Sequence, residues 1–231
     1  GRVRPGELSK AHCGVLFLDE FPLFRTDVIE ALRQPLEEGE IRVVRGEHAA
    51  TFPARGMIVL AANPCPCGGY HPSAGLDRCV CREVARRAYR QRVSAPVTDR
   101  IDIVRHVVAA GPHDRDPFAN REPSELLRDR VQRARQTQAA RYAGRGWRMN
   151  SQVPGHALRE RWPLAEEQQL RIDDEVYAGR LSRRGAIRVH RLALTIADLG
   201  EVAHPGQAEV DAALRLRTGE PLVLGELGRT G

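Results

Sequence analysis

The chain has 231 residues, 42 % of them hydrophobic and 29 % charged, a balance that suits a soluble globular protein and excludes a disordered one. Its formal net charge is +6 and its pI about 9.5, carried almost wholly by arginine because Lys10 is the single lysine. Guanidinium groups keep their charge and grip phosphate in pairs of hydrogen bonds, so this balance is compatible with nucleic acid or nucleotide phosphates, and equally with an arginine-rich composition of no functional meaning. No apolar run approaches the ~18 residues that span a bilayer. The start, Gly1-Arg2-Val3-Arg4-Pro5, lacks the pattern of a signal peptide, and the missing initiator Met is expected of a fragment or a processed chain. Five cysteines, four of them clustered, point to reduced thiols or a metal rather than a disulfide framework, and so to the cytoplasm.

In chain order, Val15-Leu16-Phe17-Leu18 is a short apolar run ending in Asp19-Glu20, which predicts a buried parallel strand. From Val28 to Leu36 the spacing is helical, with Val28, Ile29, Leu32 and Leu36 on one side, and Gly39 ends it. Ile41 to Val44 and Ala49 to Phe52 predict a hairpin, and Met57 to Ala62 a second buried strand stopped by Asn63-Pro64. Residues 64–81, rich in Cys, Gly and Pro, predict a loop; Glu83 to Arg92 predicts a basic helix and Ile101 to Val108 a third strand. The segment from Gly111 to Pro123 holds three prolines and many polar residues and predicts a domain boundary. Beyond it the pattern is helical only: Ser124 is placed to cap a helix running to about Tyr142, and further helices are expected at 156–162, 164–178, 182–199 and 207–216. The expected organisation is an α/β region over 1–110 built on a parallel sheet with helices, a linker over 111–123, an all-α domain over 124–217 and a flexible tail over 218–231.

Four motifs carry chemistry. An apolar strand ending in Asp19-Glu20 has the Walker B pattern: the strand holds Asp19 at the sheet edge, where Mg²⁺ on nucleotide phosphates can sit, and Glu20 can orient or deprotonate a water. Any strand ending in two acidic residues reads the same way. Asn63 closes the strand 57–62 and is equally the start of an Asn-Pro turn. Arg100, in Asp99-Arg100-Ile101-Asp102, can point out of its domain or pair with a flanking carboxylate. Finally, Ser182 caps a helix whose first turn holds Arg183 and Arg184; cations there oppose the helix dipole, which anion binding would explain, as would a solvated basic helix.

The order and spacing of these motifs resemble the magnesium-chelatase-like AAA+ family, in its ComM-type (YifB-type) branch. The resemblance rests on Gly6-Glu7-Leu8-Ser9 through Ala11-His12, Gly14 to Glu20, Glu30 to Glu37, Thr51 to Arg55, Ala62-Asn63-Pro64-Cys65-Pro66-Cys67-Gly68, Asp99 to Asp102 and Thr195 to Leu199, and covers roughly 6–217. It implies a P-loop NTPase core followed by a helical lid, ATP with Mg²⁺ bound between subunits, and assembly into a ring, expected to be a hexamer. Asp19 and Glu20 then match Walker B, Asp19 being the Mg²⁺ ligand; Asn63 matches sensor 1, Arg100 the arginine finger, and Arg184 sensor 2 with Arg183 the alternative. The hairpin resembles the pore-facing one of the family, making Arg42 and Arg45 the candidate DNA contacts. One departure stands out: no Gly-x-x-x-x-Gly-Lys-Ser/Thr loop occurs in the 231 residues. Alone, the chain is therefore expected to bind ATP weakly, to be inactive unless a separate segment supplies that Walker A loop, and to expose apolar sheet surface.

Cys65-x-Cys67 and Cys79-x-Cys81 are two pairs around a Gly/Pro-bearing loop. Four thiolates can bind Zn²⁺ tetrahedrally, with His71 able to replace one; four reduced thiols are the plainer expectation. Cys13 is expected to be a small buried side chain. Three functions follow from the resemblance: an ATPase that remodels or migrates branched DNA, a magnesium-chelatase-type motor for metal insertion, or a catalytically dead truncated chain serving only in binding or assembly. No membrane partner is expected.

Overall fold

The computed structural model describes residues 4–46, 48–70, 77–92, 97, 99–107 and 122–220. They fall in two units, Gly1–Ile101 and Asp102–Gly231. In the first, the short helix α1 (Glu7–Lys10) precedes strand β1 (Val15–Leu18), which pairs in parallel with β4 (Met57–Leu60) in the register Val15↔Met57 to Leu18↔Leu60. Parallel neighbours need a crossover. Here it runs through a 3₁₀ turn at Phe21–Leu23, helices α2 (Thr26–Ala31) and α3 (Arg33–Glu38), and the hairpin of β2 (Glu40–Arg45) and β3 (His48–Pro53). Helix α4 (Glu83–Arg92) closes the unit as the sequence predicts.

The single helix expected from Val28 to Leu36 is two. Pro35 has no N–H and its ring crowds the carbonyl of Ala31, so the helix breaks at Leu32 and Pro35 falls in the first turn of α3, where a missing donor is tolerated. Ile29 and Leu32 are buried while Val28 faces solvent. Gly39 ends α3 at φ 70°, in the left-handed region. In the hairpin, Ile41↔Phe52 and Val43↔Ala50 turn inward, and Arg42 and Val44 outward. On the parallel sheet, Val15, Phe17 and Met57 are 61 %, 58 % and 64 % exposed, so the apolar surface expected from the sequence is present among the described residues.

Two further expectations fail. Residues 101–107 form no strand: Val107 is 94 % exposed, and the segment's backbone is tied by Val104 N–H to Leu216 O at 2.8 Å. Alternating apolar residues make a strand only where a neighbouring strand offers a free edge, and none is beside them among the described residues. Cys13 is exposed rather than buried, because it sits in a left-handed turn (φ 61°) whose N–H bonds Arg55 O. Most of the expected linker, and residues 221–231 of the expected tail, lie outside the described residues.

The second unit is helical: α5 (Ser124–Arg141), a 3₁₀ turn at Asn150–Gln152, α6 (Gly155–Arg161), α7 (Glu166–Tyr177), α8 (Arg183–Leu199) and α9 (Gln207–Thr218). Ser124 is the first helical residue and Pro123 takes the cap position, so the expected serine cap is not made there. Ser182 does cap α8, its hydroxyl accepting the Gly185 N–H at 3.0 Å. Helix α8 is the spine, because two clusters share it. Val189 and Ala193 pack with Ile172, Val210 and Leu214; Leu194 packs with Tyr142, Val153 and Leu158. Tyr142 and Trp162 meet edge to face, centroids 5.2 Å apart at 83°. No helix among the described residues is long and apolar enough to cross a membrane.

Near the end of α8 the Asp198 side chain is fully buried and accepts from Gln138 Nε2 at 3.0 Å, Asn150 Nδ2 at 2.9 Å and Arg141 Nη1 at 3.0 Å, with Arg141 Nη2 on its other oxygen. Removing one partner of a buried pair leaves an uncompensated charge. Asp198→Ala is therefore expected to lower unfolding free energy by about 3–5 kcal/mol, read from urea denaturation followed by helical signal; an unchanged midpoint refutes the role. At Glu175, the guanidinium of Arg180, then that of Arg171, holds the carboxyl down to about 2. A depressed carboxylate stabilises above its ordinary range and loses that contribution as pH falls through its folded value. Glu175→Gln is thus expected to be less stable than the wild type at neutral pH, by a margin that solvent screening at exposed Arg180 reduces. That margin should shrink as pH falls from about 4.5 to about 2, which thermal melts across the range would show.

Candidate functional site

The site grows from the ends of the two parallel strands. Their ladder continues past Leu18 and Leu60: Ala61 N–H donates to Leu18 O at 2.9 Å, and Phe21 N–H donates to Ala61 O at 3.1 Å. Between those bonds Asp19 and Glu20 leave the ladder. Glu20 is in the left-handed conformation (φ 48°, ψ 36°), uncommon for a residue with a side chain and a form of local strain found at functional sites. Asp19 Oδ1 accepts the Glu20 N–H at 2.9 Å. Asn63, three residues beyond the end of β4, donates from Nδ2 to Glu20 Oε1 at 3.3 Å. All three side chains are exposed at the carboxyl end of the sheet, the edge where open α/β folds bind ligands. Their chemistry is that of a hard-cation site with an adjoining base: a carboxylate oxygen for Mg²⁺, and a second carboxylate held by an amide.

One member of this neighbourhood was missed in the sequence. Tyr89 of α4 is buried, with its hydroxyl beside the Asn63 backbone. Burial pushes the Tyr89 phenol up, with the nearby Glu20 charge adding to the shift. Its signal was an aromatic within an otherwise basic helix, too weak to name a partner. From the end of the same helix, Arg92 Nη1 reaches Pro22 O at 3.2 Å.

The other expected site residues lie elsewhere. Arg100 is mostly buried and pairs through Nη2 with Glu37 Oε1 at 2.8 Å. Arg42 is exposed on the outward face of β2 opposite Thr51, and Arg45 lies in the same strand opposite His48. Arg183 and Arg184 are exposed in the first turn of α8, in the second unit.

The cysteines converge. The Sγ atoms of Cys65, Cys67, Cys79 and Cys81 all lie within 4.8 Å of one another. Cys65 and Cys67 are 3.4 Å apart, Cys67 and Cys79 3.7 Å, and Cys65 and Cys79 3.5 Å. Their two strips of backbone touch: Arg78 N–H donates to Gly69 O at 3.0 Å, and a Cβ on Gly69 would lie 2.9 Å from Arg78 O, so only glycine allows this approach. Backbone hydrogen bonds from Gly69 and then Val80 draw the Cys67 thiol down to about 6. The neighbouring Cys67 sulfur, then burial, pushes Cys81 up to about 12. His71, the alternative fourth ligand, lies outside the described residues.

Residues 1–114 match the family described as magnesium chelatase, subunit ChlI, and residues 121–217 match its C-terminal family. An uncharacterized protein of Mycobacterium tuberculosis is 40 % identical over 219 residues, which are 94 % of this chain and 42 % of that protein. The Escherichia coli protein YifB is 33 % identical over 85 % of this chain and 38 % of its own length. The competence protein ComM of Haemophilus influenzae is 34 % identical over 85 % of this chain and 37 % of its own. The chain thus spans less than half the length of these relatives. With both family matches in chain order and these relatives sharing them, the chain belongs to the magnesium-chelatase-like family of AAA+ ATPases, in its ComM/YifB branch.

Proposed function

We propose that this chain carries the acidic half of an ATP-hydrolysis site, and that the whole protein couples hydrolysis to remodelling of branched DNA. The observation that supports this best is the meeting of Asp19, Glu20 and Asn63 at one sheet edge. Bound ATP with Mg²⁺ would supply the phosphoryl group and the cation that neutralises its charge. Asp19 fits the Mg²⁺ as an exposed carboxylate at a strand end. Glu20 takes the proton of, or orients, the attacking water, with Asn63 Nδ2 donating to Oε1 and so steering the carboxylate. The phosphate-wrapping Gly-Lys-Ser/Thr loop is absent from the 231 residues and comes, on this reading, from another segment.

The remaining assignments follow the family. The region 1–110 is the core, residues 111–123 link it to the helical lid at 124–217, and the protein works in the cytoplasm as a ring, a hexamer. Arg100 serves as arginine finger on a neighbouring subunit, released from or steered by Glu37. Arg184, or Arg183 beside it, is sensor 2. DNA is held through its phosphates by Arg42 and Arg45 on the hairpin, in keeping with the net charge of +6. Metal insertion is the second reading, favoured by the description of the matched family as magnesium chelatase; a chain active only in binding or assembly is the third.

The test is ATP hydrolysis by the complete protein with branched DNA present. Glu20→Gln is expected to slow turnover by roughly 10²–10⁴-fold while nucleotide still binds. Hydrolysis untouched by that change would refute the site, and hydrolysis indifferent to DNA would favour metal insertion. Changing Arg42 and Arg45 to Ala is expected to weaken DNA binding and to flatten the slope of log affinity against log salt by roughly 0.7–0.9 for each phosphate no longer neutralised. An unchanged slope, measured by fluorescence anisotropy, removes the hairpin from the DNA path.

A further inference from the structure

Beyond nucleotide chemistry, we infer that Cys65, Cys67, Cys79 and Cys81 bind one Zn²⁺ as a structural centre, and that this centre fixes Asn63 and α4 beside Glu20. The sulfur spacing favours a metal. Zinc–thiolate bonds of ~2.3 Å in a tetrahedron place the sulfurs about 3.8 Å apart. The observed separations of 3.4, 3.5 and 3.7 Å are close to that. They are far longer than the ~2.0 Å of a disulfide. Four neutral thiols have little reason to face one another, since S–H is a weak donor and each sulfur would give up better partners. An all-thiolate tetrahedral set suits zinc or iron–sulfur chemistry. A cluster places several metal atoms between its thiolates and needs a wider set than four sulfurs all within 4.8 Å, which leaves room for a single ion.

The surroundings match a thiolate–metal centre. Four thiolates around Zn²⁺ carry a net charge of −2, which nearby donors must balance. Backbone N–H groups lie beside the sulfurs: Cys81 N–H donates to Cys79 Sγ at 3.4 Å. Arg86 of α4 interacts with Cys79, and its guanidinium stacks over Tyr70 at 5.1 Å. Asp77 Oδ1 accepts the Cys79 N–H at 3.0 Å and so orients that strip of chain.

The position explains what the ion would hold. Cys65 stands two residues after Asn63, and Cys81 two residues before the start of α4, which carries Tyr89 to the Asn63 backbone. Joining the two cysteine pairs therefore ties the end of β4 to the helix that braces it. The ion is a clamp and takes no part in the reaction.

The complete protein, purified without added metal, is expected to contain one zinc per chain by plasma mass spectrometry. A mercurial should release it to a chromogenic chelator, and Co²⁺ exchanged into the site should give the intense thiolate charge-transfer and visible bands of tetrahedral sulfur coordination. Cys79→Ser with Cys81→Ser should lose the zinc, while Cys13→Ser, outside the cluster, should keep it. On metal release, amide exchange at Asn63 and along α4 should rise. The inference is overturned by wild-type protein that carries no zinc, by iron in its place, by a double variant that retains its zinc, or by exchange that does not change. Because these readouts need neither ATP nor DNA, they stand apart from the hydrolysis assay.

Discussion

Everything in the first unit depends on the parallel pairing of β1 with β4. Its register sets Leu18 beside Leu60, so the two strand ends finish level and residues 43 apart in sequence, Glu20 and Asn63, come within hydrogen-bond reach. A slip of one residue would turn one strand's side chains to the opposite face and part the carboxylate from the amide. The bond from Phe21 N–H to Ala61 O, just past the acidic pair, makes the chain leave and rejoin the ladder. That excursion is what puts Glu20 into the left-handed region. The unusual conformation is thus a consequence of pairing on both sides of it.

From the end of β4 the same constraint is handed on. Asn63 leads into the first cysteine pair, the second pair leads into α4, and Tyr89 returns from α4 to the Asn63 backbone. The chain makes a closed circuit around one asparagine. A hydrogen bond of 3.3 Å between two exposed side chains is weak by itself. What gives it definition is that the backbone of one partner is pinned from three directions: the ladder behind, the phenol at its side and the cysteine loop ahead.

The elements that were legible in the sequence were those whose signal is local. The apolar runs at 15–18 and 57–60, the hairpin around Gly46, α4 and the serine cap of α8 depend on residues close in sequence, and each appears where the pattern places it. The break at Leu32 was written in the sequence too, as Pro35 three residues on, but the apolar periodicity of Val28 to Leu36 masked it. What could not be read was partnership. Ile101 to Val107 has the composition of a strand and, among the described residues, lacks a strand to pair with; Cys13 is apolar in type and is turned outward by the backbone bond to Arg55. Of the site, Asp19, Glu20 and Asn63 were nameable because motif order singles out strand ends, whereas Tyr89 and the Glu37 partner of Arg100 are visible only after folding. The cysteines show both sides: their number and pairing were plain, and their convergence required the glycine that lets two backbones touch at Gly69 and Arg78.

The two units solve the problem of stability differently. The helical unit buries its apolar residues around α8 and encloses a carboxylate satisfied by three side chains, so it has a core of its own. The α/β unit has a two-stranded parallel sheet with Val15, Phe17 and Met57 facing solvent, and two-stranded sheets are marginal without further strands or a covering layer. A metal on the four cysteines, as inferred above, would join residues distant in sequence at little cost in apolar area. On that view the cysteine clamp and the strand-end site belong together. The strand-end edge that carries Asp19, Glu20 and Asn63 is defined by the pairing of β1 with β4, by one buried tyrosine, and by four sulfurs gathered just beyond the strand.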